Sequence, residues 1–167
     1  VLIVTGGGRG IGAAVARFAG ARGYDVAINY LLDRIAAEKV ADDVRRAGGT
    51  ALSVAADVSR EEDVLRLFET VTRELGPVGA LVNSAGETGG FARVEDVTVE
   101  TIAHVLAVNV TGTILCAREA VRRMSTKRRG QGGAIVNVSS LAARLGGANE
   151  WVHYAASKAA VDTLTFG

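Results

Sequence analysis

The stretch VLIVTGGGRGIG (residues 1–12) puts a glycine-rich loop directly after a short apolar run. Ile11, Val15 and Phe18 then recur at i, i+4 and i+7, which predicts a helix with one apolar face. Between a strand and a helix, glycines allow a tight turn and let backbone N–H groups approach a pyrophosphate, while the positive end of the helix faces that anion. The stretch therefore predicts the first unit of an α/β fold that binds a nucleotide, as in a dehydrogenase or a methyltransferase.

Further strand-like segments alternate with helix-like ones along the chain. The predicted strands are 2–4, 25–30, 51–55, 80–83 and 134–138. Helices are predicted between them from apolar stripes at Ala37, Val40, Ala41 and Val44, at Val64, Leu67, Phe68, Val71 and Leu75 after a Ser59 N-cap, over 99–125, and from His153 onward. Strands linked by helices of this length pair in parallel through right-handed crossovers. We expect one domain, residues 1–167, with a doubly wound parallel sheet of the Rossmann type whose strands are buried on both faces.

Composition excludes several classes of protein. The net charge of +1 gives no overall field for nucleic acid, and no apolar run reaches the roughly 18 residues that span a bilayer, so we expect neither partner and a cytoplasmic location. Cys116 is the single cysteine, which rules out an intrachain disulfide, and we expect it to be a packing residue. His104 and His153 are too isolated for a zinc site, so no metal is expected. The basic residues between 122 and 129 are expected at a solvated helix end.

Tyr154 and Lys158 open the last helix at i and i+4, on one helical face. A free phenol titrates near pH 10 and is a poor base at neutral pH, but a nearby ammonium favours the phenolate. Ser139 and Ser140 follow the fifth strand, at the sheet edge where ligands of open α/β sheets bind. A serine there can donate to a carbonyl oxygen that gains negative charge. A Y-x-x-x-K pair is common by chance, so the neighbouring motifs decide whether it indicates a catalytic site.

Taken in order, these motifs resemble the short-chain dehydrogenase/reductase family. The resemblance covers essentially the whole chain and includes T-G-x-x-x-G-x-G in the glycine loop, Asp57-Val58 after the third strand, N-S-A-G (83–86) after the fourth strand, Asn109, the serine pair and Tyr154/Lys158. Ser84 departs from the second Asn of the family's N-N-A-G. As a set, the motifs are similar to those of 3-oxoacyl-carrier-protein reductases and sugar dehydrogenases. They do not select a substrate.

The resemblance implies hydride transfer between a nicotinamide cofactor and a small carbonyl or alcohol. Its catalytic residues would be Asn109, Ser140, Tyr154 and Lys158, with Tyr154 as general acid/base, Ser140 orienting the oxygen, Lys158 on the ribose, and Asn109 relaying the proton through water. Its cofactor-binding residues would be Gly6, Arg9, Gly10, Ile11, Gly12, Tyr30, Asp57, Val58, Asn83, Ala85, Gly86, Tyr154 and Lys158. The alternative is a catalytically idle dinucleotide sensor on the same fold.

The resemblance also has implications for the oligomeric state and for the length of the domain. Family members form dimers or tetramers through the two long helices, here beginning near Val99 and His153, so we expect a homo-oligomer. The family's later strands and substrate loop would follow Gly167, and the chain begins inside a strand without Met. We therefore expect the domain to be slightly trimmed at the N-terminus and the C-terminal part of the fold to be absent from this chain. Trp151 is expected either to pack in the fold or to line the substrate pocket.

The end of the second strand bears on the coenzyme. NAD enzymes of this fold place an acid there for the ribose 2′-OH, but the position holds Tyr30, followed by Leu31. Arg9 in the glycine loop, with Arg34 as a second partner, suits a 2′-phosphate. Asp33 is the competing signal for NAD, although it also fits a helix N-cap. We expect NADP(H), with NAD(H) as the alternative.

Overall fold

The computed structural model describes residues 1–167 and contains one five-stranded sheet. Its strands are β1 (Leu2–Thr5), β2 (Val26–Tyr30), β3 (Ala51–Ala55), β4 (Ala80–Asn83) and β5 (Ala134–Asn137). All pairs are parallel and the order is β3-β2-β1-β4-β5. The chain leaves β1 on one side for β2 and β3 and returns on the other side for β4 and β5, which confirms the doubly wound Rossmann-type fold.

Helices connect the strands and cover both faces of the sheet. They are α1 (Gly10–Gly20), α2 (Arg34–Arg46), α3 (Glu61–Glu74), α4 (Val99–Leu106), α5 (Thr113–Met124), α6 (Ala142–Leu145) and α7 (Val152–Phe166). A π-helical segment, Ala107–Gly112, joins α4 to α5, and a 3-10 turn, Thr126–Arg128, follows α5. α6, the π-helical segment and the 3-10 turn were not expected from the sequence.

The core has two halves, one on each face of the sheet. On one face α1 and α2 pack against β1 and β2, and on the other α3 and α5 pack against β1 and β4. The stripes expected in α2 and α3 are buried as predicted, apart from the partly buried Leu75. Neighbouring residues of β1 face opposite halves: Ile3 belongs to the α3/α5 half and Val4 to the α1/α2 half. This double burial explains why the strands are apolar runs.

The apolar stripe proposed for α1 is wrong. Ile11 and Phe18 are 61% and 59% exposed, and the buried face consists of small residues, Gly12, Ala13, Ala16, Ala19 and Gly20. Close packing explains the reversal, because a Cβ added at Gly20 would lie 2.5 Å from Val44 Cγ1 in α2. Large side chains on this face of α1 would push the two helices apart.

β5 and the start of α3 also differ from expectation. β5 lies at the sheet edge, so Val136 is 55% exposed rather than buried on both faces. Ser59 does not cap α3, because Arg60 occupies the cap position and the Ser59 hydroxyl donates to Asp57 instead. The cap of α2 is confirmed: the Asp33 carboxylate accepts from the Ala36 N–H at 2.9 Å.

The continuous helical stretch Val99–Met124 has the length and mean hydropathy of a membrane span, contrary to the expectation that no such run exists. In this structure one face of it packs against the rest of the fold and buries Val105, Val108, Asn109, Cys116 and Glu119, while 33% of its most apolar window is buried. The core helix of a globular domain passes the same test of length and composition, so the stretch is weak evidence for a membrane.

Candidate active site

A cavity of about 470 Å³ lies at the carboxyl ends of the strands. It opens where the chain switches from one side of β1 to the other, which is the usual ligand position in open α/β sheets. The strand ends lie level here, since Thr5 pairs with Asn83 and Asn83 with Asn137. The wall therefore combines the glycine loop, the ends of β2 and β3, the segment after β4 and the start of α7.

Close backbone approach explains the glycines of the first loop. Gly6 has φ +61°, and a Cβ there would lie 2.8 Å from the Ala85 Cα. A Cβ on Gly12 would lie 2.6 Å from the Gly6 carbonyl oxygen. Arg9 precedes α1 without a side-chain cap, so the first N–H groups of the helix are left for another acceptor. This loop and helix end fit a dinucleotide pyrophosphate.

Two buried polar residues that were not among the expected site residues hold the loop in place. The Thr5 hydroxyl oxygen accepts from the N–H groups of Ser84 and Ala85 at 3.0 and 3.1 Å. Asn29 accepts from the Gly6 N–H at 3.2 Å and donates to the Ala56 carbonyl at 2.9 Å. These bonds join the segments after β1, β3 and β4. A polar residue at the end of an otherwise apolar strand was the available signal.

The end of β3 is shaped by a small carboxylate network. Asp57 accepts from both the backbone N–H and the hydroxyl of Ser59, at 2.9 and 2.7 Å. Asp63 in α3 accepts from the Asp57 N–H, and this bond, with Arg66 nearby, holds the pKa of the Asp63 carboxyl below its usual value against the opposing effect of burial. Val58 also lines the cavity. It packs closely against Gly112, since a Cβ on that glycine would lie 2.9 Å from Val58 Cγ2.

Tyr154 and Lys158 both reach the cavity from the first turns of α7. The Lys158 ammonium lies 5.9 Å from the centre of the Tyr154 ring and donates to the Val138 carbonyl at 2.8 Å. Burial lowers the pKa of Lys158 below its ordinary value, and the negative charge of Asp162 partly opposes this effect. The pair thus brings a phenol and a desolvated ammonium to one wall.

Asn109 lies directly behind this wall, in the π-helical segment. Its amide donates to the Glu87 carbonyl at 2.8 Å and to the Ser157 hydroxyl at 2.9 Å, and its oxygen accepts from the Glu87 N–H at 2.8 Å. A Cβ on Gly86 would lie 3.2 Å from Asn109 Oδ1 and 3.4 Å from Lys158 Nζ, so these side chains flank one point. π-Helical turns recur at functional sites, and this one turns a polar side chain inward.

Most of the predicted cofactor residues line the cavity, but four predicted site residues do not. Those on the lining are Gly6, Arg9, Gly10, Ile11, Tyr30, Asp57, Val58, Ala85, Gly86, Tyr154 and Lys158, joined by Asp33. Gly12 and Asn109 lie behind the surface. Asn83 is also behind it, because its amide donates to Asn137 at 2.9 Å and ties β4 to β5.

Ser140 is the fourth residue outside the lining. Its hydroxyl oxygen accepts from the Ala142 N–H at 3.2 Å, at the turn into α6. Ser139, which is not among the expected catalytic residues, lines the cavity and donates to the Lys158 carbonyl at 3.3 Å. The serine pair therefore stands at the cavity edge with Ser139 on the inner side.

A sequence profile of the short chain dehydrogenase family matches residues 1–167. The chain belongs to this family. The Escherichia coli oxidoreductase YgfF is 50% identical over 100% of this chain and 68% of its own length. Versicolorin reductase stcU of Emericella nidulans is 39% identical over 98% of this chain and 60% of its own. A crystal structure of NAD⁺-bound xylitol dehydrogenase, 36% identical, superposes with a TM-score of 0.91 over 98% of this chain and 61% of that one.

The chain thus spans about three fifths to two thirds of the length of these relatives. Members of the short-chain dehydrogenase family are NAD(P)-dependent dehydrogenases and reductases, and that class applies to this chain.

Two further residues have clear positions. Trp151 packs against Phe91, with ring centroids 4.5 Å apart, and does not line the cavity. Cys116 is buried, which raises the pKa of its thiol to about 12, so it is a packing residue and not a nucleophile.

Proposed function

We propose that residues 1–167 form the dinucleotide-binding and catalytic domain of an oxidoreductase that moves a hydride between a nicotinamide cofactor and a small carbonyl or alcohol. The observation that carries the proposal is one cavity lined both by the glycine loop and by the Tyr154/Lys158 pair. A glycine loop alone would suit a methyltransferase, and a tyrosine–lysine pair alone is common by chance. Their meeting in one cavity supports redox chemistry.

Each residue has a distinct proposed role. When bound, the cofactor supplies or accepts the hydride. Tyr154 transfers a proton to or from the substrate oxygen, and the ammonium of Lys158 stabilises the phenolate that remains and binds the ribose. Ser140, at the cavity edge, orients the substrate oxygen, because its hydroxyl oxygen accepts from Ala142 and its hydrogen remains free to donate. Asn109 fixes the wall beside Lys158 and passes the proton onward through water.

Turnover is the direct test of this proposal. The full-length gene product should oxidise or reduce members of a panel of small alcohols and ketones, measured through the absorbance of the reduced nicotinamide. Tight binding of NAD(P)H with no turnover on any of them would instead favour the idle sensor. Absence of dinucleotide binding would contradict both.

For the coenzyme we propose NADP(H) over NAD(H). Tyr30 and Leu31 line the cavity at the end of β2, where an acid would repel a 2′-phosphate. Arg9 lies on the same lining and is exposed, so its guanidinium is available to a phosphate. Asp33 also lines the cavity, but its carboxylate caps α2, which supports a structural role. The NAD⁺ bound to xylitol dehydrogenase shows that the family also uses the other coenzyme.

Replacing Arg9 with Ala should weaken NADPH binding by about 1.5–3 kcal/mol, which is typical of a charge-assisted hydrogen bond, and barely change NADH binding. Fluorescence titration of both coenzymes measures this. Asp33→Asn is the matched control, since asparagine also caps helices but carries no charge, and it should leave the preference intact. Higher turnover efficiency with NAD(H) in the parent, abolished in Asp33→Asn, would assign the choice to Asp33.

We also propose a dimer or tetramer formed through the α4–α5 helical surface. Val110, Ile114, Ala117 and Val121 form an apolar stripe, and Ile114 and Val121 are 44% and 50% exposed. Replacing Ile114 with Arg should shift the sedimentation coefficient of the full-length protein toward the monomer. Phe18→Arg, at an exposed apolar position on α1 outside this surface, should not. A parent protein that sediments as a monomer at all concentrations would contradict the proposal.

A further inference from the structure

The segment after β4, residues 86–88, forms one wall of the cavity and is contacted by three side chains. Glu87 and Thr88 line the cavity. Asn109 bonds both backbone groups of Glu87, and through Ser157 it also contacts α7. His104 in α4 contacts the Glu87 carboxylate at 2.8 Å on the exposed side. The third side chain is His153, the less exposed of the two histidines, which takes no part in the proposed reaction.

His153 bonds the segment one residue beyond the Asn109 contact. It is buried, and its Nε2 lies 2.8 Å from the Thr88 carbonyl oxygen. A carbonyl only accepts, so Nε2 carries the hydrogen. Nδ1 is also buried and has no partner in the fold. The packing is tight, because a Cβ on Gly89 would lie 3.0 Å from His153 Nε2, and Gly89 has φ +74°.

We propose that His153 is a positioning residue, which fastens the cavity wall at Thr88 to the helix that carries Tyr154 and Lys158. This inference rests on the proposed function, since it concerns binding of the nicotinamide cofactor. His153 does not line the cavity and acts through the Thr88 carbonyl, so it is not a catalytic residue. The next residues, Gly89 and Gly90, both have positive φ, so the chain beyond Thr88 has little stiffness of its own.

Without this bond the Thr88 carbonyl would lose its donor and the wall would be less ordered before the cofactor binds. Binding would then have to order it, and that cost appears in the dissociation constant. Once the cofactor fills the cavity the wall is in place, so turnover at saturation should change little. A residue needed only for folding of α7 would behave differently, because it would reduce the active fraction and leave the affinity of the remaining protein unchanged.

The test compares His153→Gln, His153→Asn and His153→Leu in the full-length gene product. The glutamine amide reaches the place of Nε2, whereas the asparagine amide reaches only that of Nδ1. In titrations with NADPH and NADH, Asn and Leu should raise the dissociation constant by about three- to ten-fold, as expected for one lost hydrogen bond. Gln should stay within about twofold, and turnover at saturating cofactor should stay within about twofold for all three.

His104→Gln is the control, because that histidine contacts the same segment only through an exposed side-chain contact with Glu87, and it should change the dissociation constant by less than about twofold. The inference is overturned if Gln is no better than Asn, or if turnover falls while the dissociation constant does not move. If Leu fails to fold, the Gln and Asn pair still decides. A parent protein that binds neither coenzyme overturns the proposed function and this inference together, whereas a parent that binds with unchanged variants overturns this inference alone.

Discussion

Replacing Tyr154 with Phe should abolish turnover while leaving NAD(P)H binding almost unchanged. The substitution removes one hydroxyl from the cavity wall and keeps the ring, so the packing at the start of α7 persists. A positioned general acid or base contributes about 10²- to 10⁴-fold to a rate, and a loss in that range is expected for kcat. Steady-state kinetics at saturating coenzyme, combined with a fluorescence titration, separates the two effects.

Tyr24→Phe is the matched control for this substitution. Tyr24 is exposed before β2, at the end of that strand opposite the cavity, and does not line it, so its hydroxyl has no part in the proposed reaction. It should show the kcat of the parent. Turnover of Tyr154→Phe within tenfold of the parent would contradict the proposed mechanism.

The strands could be predicted from the sequence to within one residue at either end. Their apolar runs are short and continuous because each lies between two helical layers, and glycines or polar residues mark their ends. The expectation of double burial failed at β5, because the sheet order decides which strand lies at the edge. The order of the strands depends on the whole chain and cannot be predicted from any single segment.

The buried faces of the helices were predicted correctly for α2 and α3 but not for α1. The α2 and α3 stripes are correct because these helices bury branched or aromatic side chains, which a periodic pattern reveals. The α1 stripe is wrong because this helix buries glycine and alanine at close range, and such residues carry little periodic signal. Ile11 instead lies at the cavity, where its exposure follows from its position at the helix start.

The position of the candidate site could be predicted from the motifs in outline but not in detail. The motifs name the glycine loop, Asp57, Ala85, Gly86, Tyr154 and Lys158, and these line one cavity. The polar residues that hold the walls were missed or given another role: Asn29 and Thr5 bond the backbone of neighbouring segments, and Asn83 faces β5. Which side a strand-end side chain faces depends on its register, and a shift of one residue reverses it. For the same reason the sequence could not show which of Ser139 and Ser140 faces the cavity.

Replacing Lys158 with Met should reduce kcat by about 100-fold and also weaken NAD(P)H binding. Met retains most of the aliphatic stem, so the change mainly removes the ammonium that lies 5.9 Å from the Tyr154 ring. Loss of this charge disfavours the phenolate, which slows proton transfer, and it removes the proposed ribose contact. This double effect distinguishes Lys158 from Tyr154, whose replacement should change kcat alone.

The pH dependence of coenzyme binding tests the same charge. A free lysine titrates near 10.4, and burial lowers the pKa of Lys158 despite the opposing charge of Asp162. The cationic form is therefore complete only below this lowered pKa and is lost as the pH rises through it, so the NADPH dissociation constant of the parent should begin to rise below about pH 10.4. Lys158→Met should lack this rise, because it has no ammonium to lose. Lys158→Arg, which stays charged throughout, should bind more tightly than Met at alkaline pH. An identical alkaline rise in the parent and in Lys158→Met would show that another group titrates and that the Lys158 charge does not hold the coenzyme.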